Sequence, residues 1–264
     1  RNLEFTNSGN ELKNWGTVTT TQDLKISNGG LFYSKGTIVA EDASFNSSSL
    51  MQNEGTISLS GLFYMPYNAS LMNTGEITAY YLQANGVSLT NNGKMIFNSI
   101  YELGNSTVTN NCFIESKLDV YIYNTSLNFN KGYLKGKDIV IKNCMVKLYN
   151  GSMIEATRTL DNESGSTYYD GGTGNRSLLK SPNMYGYGLH YYGNLTVEVN
   201  KHPSNILWFT VYYLQSPAQM ARYGKSNVII EVCTGTANEG DPGTDPENPT
   251  FPIESVNNTT YTYM

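Results

Sequence analysis

The sequence predicts an all-β protein: a right-handed single-stranded parallel β-helix of about eight turns, about 19 residues per turn, with a β-rich C-terminal cap. Three observations carry that expectation. Gly, Asn, Ser and Thr are abundant while charged residues make up only 15% of the chain, a composition that disfavours helices and favours strands joined by many turns. A turn motif recurs at a nearly fixed step over the first 155 residues. Apolar residues keep constant offsets from that motif, as a stack of laps requires when no single lap can bury its own face.

In chain order the motif reads Asn14-Trp15-Gly16-Thr17-Val18, Ser34-Lys35-Gly36-Thr37-Ile38, Asn53-Glu54-Gly55-Thr56-Ile57 and Asn73-Thr74-Gly75-Glu76-Ile77. It continues as Asn91-Asn92-Gly93-Lys94-Met95, Asn110-Asn111-Cys112-Phe113-Ile114, Asn130-Lys131-Gly132-Tyr133-Leu134 and Tyr149-Asn150-Gly151-Ser152-Met153. Steps of 18 to 20 residues are too short for two-helix repeats of about 33 residues or more, so the unit is made of strands and turns. Val18, Ile38, Ile57, Ile77, Met95, Ile114, Leu134 and Met153 form one inward column. Leu12, Phe32, Met51, Leu71, Leu89, Val108 and, one position early, Leu127 form a second, and a third follows the glycine by seven to nine residues. Three inward columns per lap define a β-helix, right-handed by the usual hand of parallel crossovers. The glycine serves either a positive φ or a close backbone approach; Cys112 breaks the pattern, so its turn is expected to differ.

Asn14, Asn53, Asn73, Asn91, Asn110 and Asn130, with Ser34 in the second copy, recur two residues before the glycine position. Stacked at the lap spacing, their amides form a hydrogen-bonded ladder; alternatively each simply caps its own turn. Either role is structural.

The chain divides into repeats over 1–155, an irregular loop and β-rich cap that continues the helix over 156–234, and an acidic linker over 235–264. The middle part opens with a loop-rich passage, Asp161 to Asn175, and strand-like runs return at Asn194 to Val199, Ile206 to Leu214 and Val228 to Val232. The last 30 residues hold four of eight prolines, five acids and no base, so they alone account for the net charge of −5. This linker is expected to lead to a further C-terminal domain. The chain opens at Arg1 without an initiator Met or a leader, as expected of a mature or excised form.

The coil with Asn-x-Gly-x-Ile turns, over about residues 14 to 155, resembles the β-helical repeats of bacterial surface adhesins of the filamentous-haemagglutinin kind. Gly193 to Val199 and the Asp/Pro linker ending in Tyr261-Thr262-Tyr263-Met264 resemble the region preceding the LruC domain in Bacteroides-type surface proteins. Both resemblances imply an exported protein of the cell surface, associated with the outer membrane, with glycans or host or bacterial surface proteins as partners.

Several chemistries find no support. The acidic, sparsely charged chain disfavours nucleic acid. No apolar stretch approaches the roughly 18 residues of a membrane helix. Cys112, Cys144 and Cys233 are too scattered for a disulfide framework or a zinc box and read as small buried residues. The two histidines, His190 and His202, lack a nucleophile elbow. No P-loop or dinucleotide fingerprint is present, so no metal or cofactor is expected.

Two surface patches remain. Glu115, Lys117 and Asp119, with Lys135 and Lys137 one lap on, fall on one outward face by strand alternation, with Glu115 beside Lys135 at about 5 Å. This patch is the site of the alternative function, a polysaccharide lyase or glycosidase; the competing reading is solvated surface pairs. Tyr64, Tyr67, Tyr80, Tyr81, Tyr101, Tyr121 and Tyr123 fall in corresponding parts of successive laps, and Tyr185, Tyr187, Tyr191 and Tyr192 form a second group near the cap. Exposed tyrosines stack on sugars while their hydroxyls hydrogen-bond; as a plain ring stack they would only stiffen the rod. The favoured expectation is a non-enzymatic adhesin or stalk that presents a glycan-binding face.

Overall fold

The computed structural model describes residues 3–5, 9, 11–46, 48–163, 165–186, 190–201 and 219–222. These residues form strands and turns without a helix, and successive laps pair in parallel. Three strand columns run along the rod. The first begins with Glu11–Asn14, Leu31–Ser34 and Leu50–Asn53 and ends with Thr167–Asp170 and His190–Gly193. It contains ten strands among the described residues, so the rod has about ten laps rather than eight. The second column starts at Thr17–Thr19 and the third at Leu3–Phe5. From Glu76 onward most laps join these two in one long strand, such as Glu76–Asn85 or Lys94–Gly104.

The expected columns are real registers. Val18, Ile38, Ile57, Ile77, Met95, Ile114 and Leu134 are successive parallel partners, as are Leu12, Phe32, Met51, Leu71, Leu89, Val108 and Leu127. Most are at most 4% exposed, and burial of each such side chain contributes about 1.5–3 kcal/mol. Third-column residues, including Phe45, Phe63, Leu82, Ile100, Val120 and Ile139, complete the core.

The eighth copy is displaced by one residue. Leu134 pairs with Ile154, and Met153 pairs with Tyr133, so Ile154 takes the inward place and Met153 the outward one. Ser152 stands where every other copy except that of Cys112 carries glycine, and its hydroxyl accepts from the Gly132 amide at 3.2 Å. The coil also runs on past residue 155, since the strand Met153–Glu163 passes through that position. The next lap is lengthened to 25 residues, from Ile154 to Leu179, and the following one returns to 18, from Leu179 to Val197. The true excursion is only the stretch from Gly171 to Arg176. Asp170 ties it down: its carboxylate accepts from the Gly172 amide at 2.8 Å and the Ser177 amide at 2.9 Å. Burial pushes the Asp170 carboxyl upward against those bonds. At the far end Leu195–Lys201 continues the second column and Gln219–Arg222 pairs with it. The runs Ile206 to Leu214 and Val228 to Val232, together with the linker 235–264, lie outside the described residues.

The turn glycines are explained by close approach. Gly36, Gly55 and Gly75 have ordinary φ, but a Cβ on any of them would collide with the carbonyl oxygen of the glycine one lap below. Left-handed backbone recurs at the opposite corner, between the third and first columns, at Asn28, Ser48, Asn68, Gly86, Asn105, Asn124 and Asn143, and enters the turn corner in later laps, at Lys131, Asn150 and Gly151. The cysteines divide. Cys144 is free and buried, its thiol pushed up by desolvation, whereas Cys112 is disulfide-bonded and is thus more than a small buried residue. Cys233 lies outside the described residues.

Candidate functional site

The asparagine ladder runs inside the turn corner. Asn53 donates to the Asn73 side chain, Asn73 to Asn91 and Asn91 to Asn110, each at 2.8 Å, and Asn14 donates to the Ser34 hydroxyl at 3.2 Å. The same carboxamides accept from the turn two residues on, at Gly16, Gly55, Gly93 and Cys112. Laddering and turn capping therefore operate together. Asn130 is not part of the ladder: Asn110 pairs with Phe129, which is buried, and the extra residue leaves Asn130 exposed. It accepts instead from the Asn150 amide at 2.8 Å. A second, outer ladder had no counterpart in the sequence reading: Asn143 donates to Asn124, Asn124 to Asn105 and Asn105 to Asn85, at 2.8–3.1 Å. Its signal was present as an asparagine recurring 19 or 20 residues apart at the third corner.

The five charged residues do not share one sheet face. Glu115 and Lys135 are register partners joined by an ion pair of 3.2 Å. Lys117 lies in the turn after Phe113–Ser116, and Asp119 opens the third-column strand Asp119–Tyr123, opposite Asp138. Strict alternation fails because the chain turns a corner between Ser116 and Asp119. Lys137 stands at the same corner, its amide bonded to the Leu118 carbonyl at 2.9 Å. Asp138 is clamped by the Arg158 guanidinium. Desolvation alone would raise its carboxyl, but Arg158 holds it below the usual range. The second column extends the pairing: Glu115, Lys135, Glu155, Lys180 and Glu198 are successive partners of alternating sign. The recorded cavity, lined by Leu82, Phe97, Ile100 and Phe129 among other apolar residues, lies within the core.

The tyrosines stand on the outward face of the third column and its flanking corners. Tyr67, Tyr80, Tyr81, Tyr101 and Tyr121 are 37–67% exposed, Tyr101 the most; Tyr64 and Tyr123 are half-buried. Recorded ring contacts join Tyr80 edge-on to Tyr81 at 4.6 Å and Tyr121 to Tyr123 at 5.5 Å, so the face carries separate aromatic platforms rather than one continuous stack. Register places Tyr64, Gln83 and Glu102 in line on successive laps. Glu102 accepts from Gln83 at 3.0 Å, from Asn85 at 2.6 Å and from the Tyr123 hydroxyl. Partial burial works to raise the Glu102 carboxyl, but these three donors outweigh it and hold it below its ordinary value. The same bond pushes the Tyr123 hydroxyl up to about 12. Two glycines make room for the rings: a Cβ on Gly104 would strike the Tyr123 ring, and one on Gly86 would lie 2.6 Å from Tyr67 Cδ1. Gln83, Asn85 and Glu102 escaped the sequence reading, which singled out aromatic residues and not their outward-facing polar neighbours.

Of the second group, Tyr185 is 48% exposed, Tyr191 and Tyr192 belong to the strand His190–Gly193, and Tyr187 lies outside the described residues. Comparison with protein-family models, with curated proteins and with solved structures finds no match.

Proposed function

We propose that this chain is a non-enzymatic surface rod whose third-column face binds glycans through Tyr64, Tyr80, Tyr81, Tyr101, Tyr121 and Tyr123. The observation that carries the reading is the exposure of Tyr80, Tyr81, Tyr101 and Tyr121 at 37–67% along the third column and its adjoining corner, with half-buried Tyr64 and Tyr123 and polar side chains beside them. Aromatic platforms with neighbouring hydrogen-bonding groups suit the apolar face and hydroxyl rim of a sugar ring. Rigid strands supply the preorganisation that flexible loops lack. The adhesin resemblance of the repeats and the disulfide at Cys112, a bond that persists in oxidising compartments, both support an extracellular setting at the outer membrane. The paired state of Glu115 with Lys135 and of Asp138 with Arg158 favours a structural role for these charges over acid–base chemistry.

The test is a glycan-array screen of the chain beside Tyr80→Ala, Tyr101→Ala and Tyr121→Ala, with a product assay on every hit. Binding that weakens in the variants without product formation is the expected result. Turnover of a bound polysaccharide would replace this reading with a carbohydrate-active enzyme, and no binding at all would leave a stalk.

A further inference from the structure

On the second column, the outward position after each turn is polar in the first five laps: Thr17, Thr37, Thr56, Glu76 and Lys94, none of them buried. One lap on, it becomes Phe113, then Tyr133, Met153 and Leu178 in continuous register, each only 5–6% exposed. These four and Cys112 form a cluster separate from the rod core. Tyr80, Tyr81, Tyr101 and Tyr121 keep 37–67% exposure with laps above and below them, and even the half-buried Tyr64 and Tyr123 stay more open than Phe113, Tyr133, Met153 and Leu178, so stacking between laps does not by itself bury an outward ring. A further layer is required. Cys112 is disulfide-bonded, Cys144 is free inside the rod, and the chain has three cysteines.

We propose that the outward stripe of Phe113, Tyr133, Met153 and Leu178 is the docking face of this chain's own segment around Val228-Ile229-Ile230-Glu231-Val232, stapled there by a disulfide between Cys112 and Cys233. The segment is chemically matched: four of its five residues are apolar. It can also reach. Arg222 pairs with Val199 one lap beyond Leu195–Lys201, and Cys112 lies five laps below, about 24 Å at the usual strand spacing. The 11 residues from Arg222 to Cys233 span up to about 36 Å when extended. Forming the bond removes two protons and two electrons from the two thiols, which pass to a disulfide acceptor, itself reduced to two thiols. The docked segment would cover the second column of laps six to nine and leave the third-column tyrosines open.

Two measurements on the full chain test this. Alkylation in denaturant should modify one cysteine, Cys144, without reductant and all three after reduction, with peptide mapping linking Cys112 to Cys233. Three modified cysteines without reductant, or a link through Cys144, would overturn the staple. For docking, mild peroxide oxidation compares Met153 with Met145, which is 52% exposed. Met153 should react at least about tenfold more slowly, since thioether oxidation follows access. The double variant Ile229→Asp, Ile230→Asp, which charges both faces of the run, should bring Met153 close to the Met145 rate. Equal rates in the unaltered chain, or undiminished protection in the variant, would contradict the docking.

Discussion

Asn73 illustrates how one residue type is fixed by geometry at a single site. Fully buried, it donates to the Gly75 and Lys94 carbonyls and to Asn91 while accepting from Asn53. Truncation strands polar atoms on two laps, so Asn73→Ala should destabilise the rod by about 2–4 kcal/mol in urea unfolding, from about 1–3 kcal/mol per orphaned group. Asn130→Ala, at an exposed position, should change stability by less than about 0.5 kcal/mol. The sequence presents these two asparagines identically. What separates them is the extra residue that follows Phe129, foreshadowed by Leu127 standing one place early. Glycine was legible as a requirement but not as a mechanism: the Asn-x-Gly motif admits both positive φ and close approach, and only the stacked carbonyl below Gly75 decides between them.

Within a strand, register converts sequence spacing into chemistry. Glu115 opposite Lys135 follows directly from lap length, whereas the corner after Ser116 removes Lys117 and Asp119 from that face, a bend that alternation cannot foresee. The Glu102 and Tyr123 pair spans two third-column strands, Lys94–Gly104 and Asp119–Tyr123. Its linkage has two signs. Glu102 is held low when folded, so its contribution is present above the ordinary carboxylate range and fades as pH falls through the depressed value. Tyr123 is raised, so its contribution is complete below its ordinary 10.0 and is lost as pH climbs through about 12. Ultraviolet titration of tyrosinate should show Tyr123 as a late-ionising group near 12. In Glu102→Gln that group should move back toward 10.0; an unmoved titration would mean that Glu102 is not its partner.

Across the whole molecule, ten laps at 4.7–4.9 Å make a rod of roughly 45 Å, with stability accumulated between nearest neighbours. Interior laps are supported from both sides, and the first lap from one, which is why Leu12 and Val18 are only partly buried against the core. Ile77→Ala should therefore cost about 2–5 kcal/mol and Val18→Ala less than about 1.5 kcal/mol, a difference that chemical denaturation of the two variants resolves. The architecture was legible in the sequence because a periodic core leaves a periodic trace. The ninth lap was less visible because six residues of excursion after Asp170 break the period while the strands on either side stay in register. For the glycan-binding face Tyr169 provides a control: it is 41% exposed, but on the first column. The decisive measurement is affinity of Tyr101→Ala and Tyr169→Ala for a glycan that the unaltered chain binds. Loss of about tenfold or more, equivalent to about 1.4 kcal/mol, in Tyr101→Ala with Tyr169→Ala unchanged is the expected result. Equal affinity in both variants and the unaltered chain, or loss only in Tyr169→Ala, would contradict a binding site on the third column.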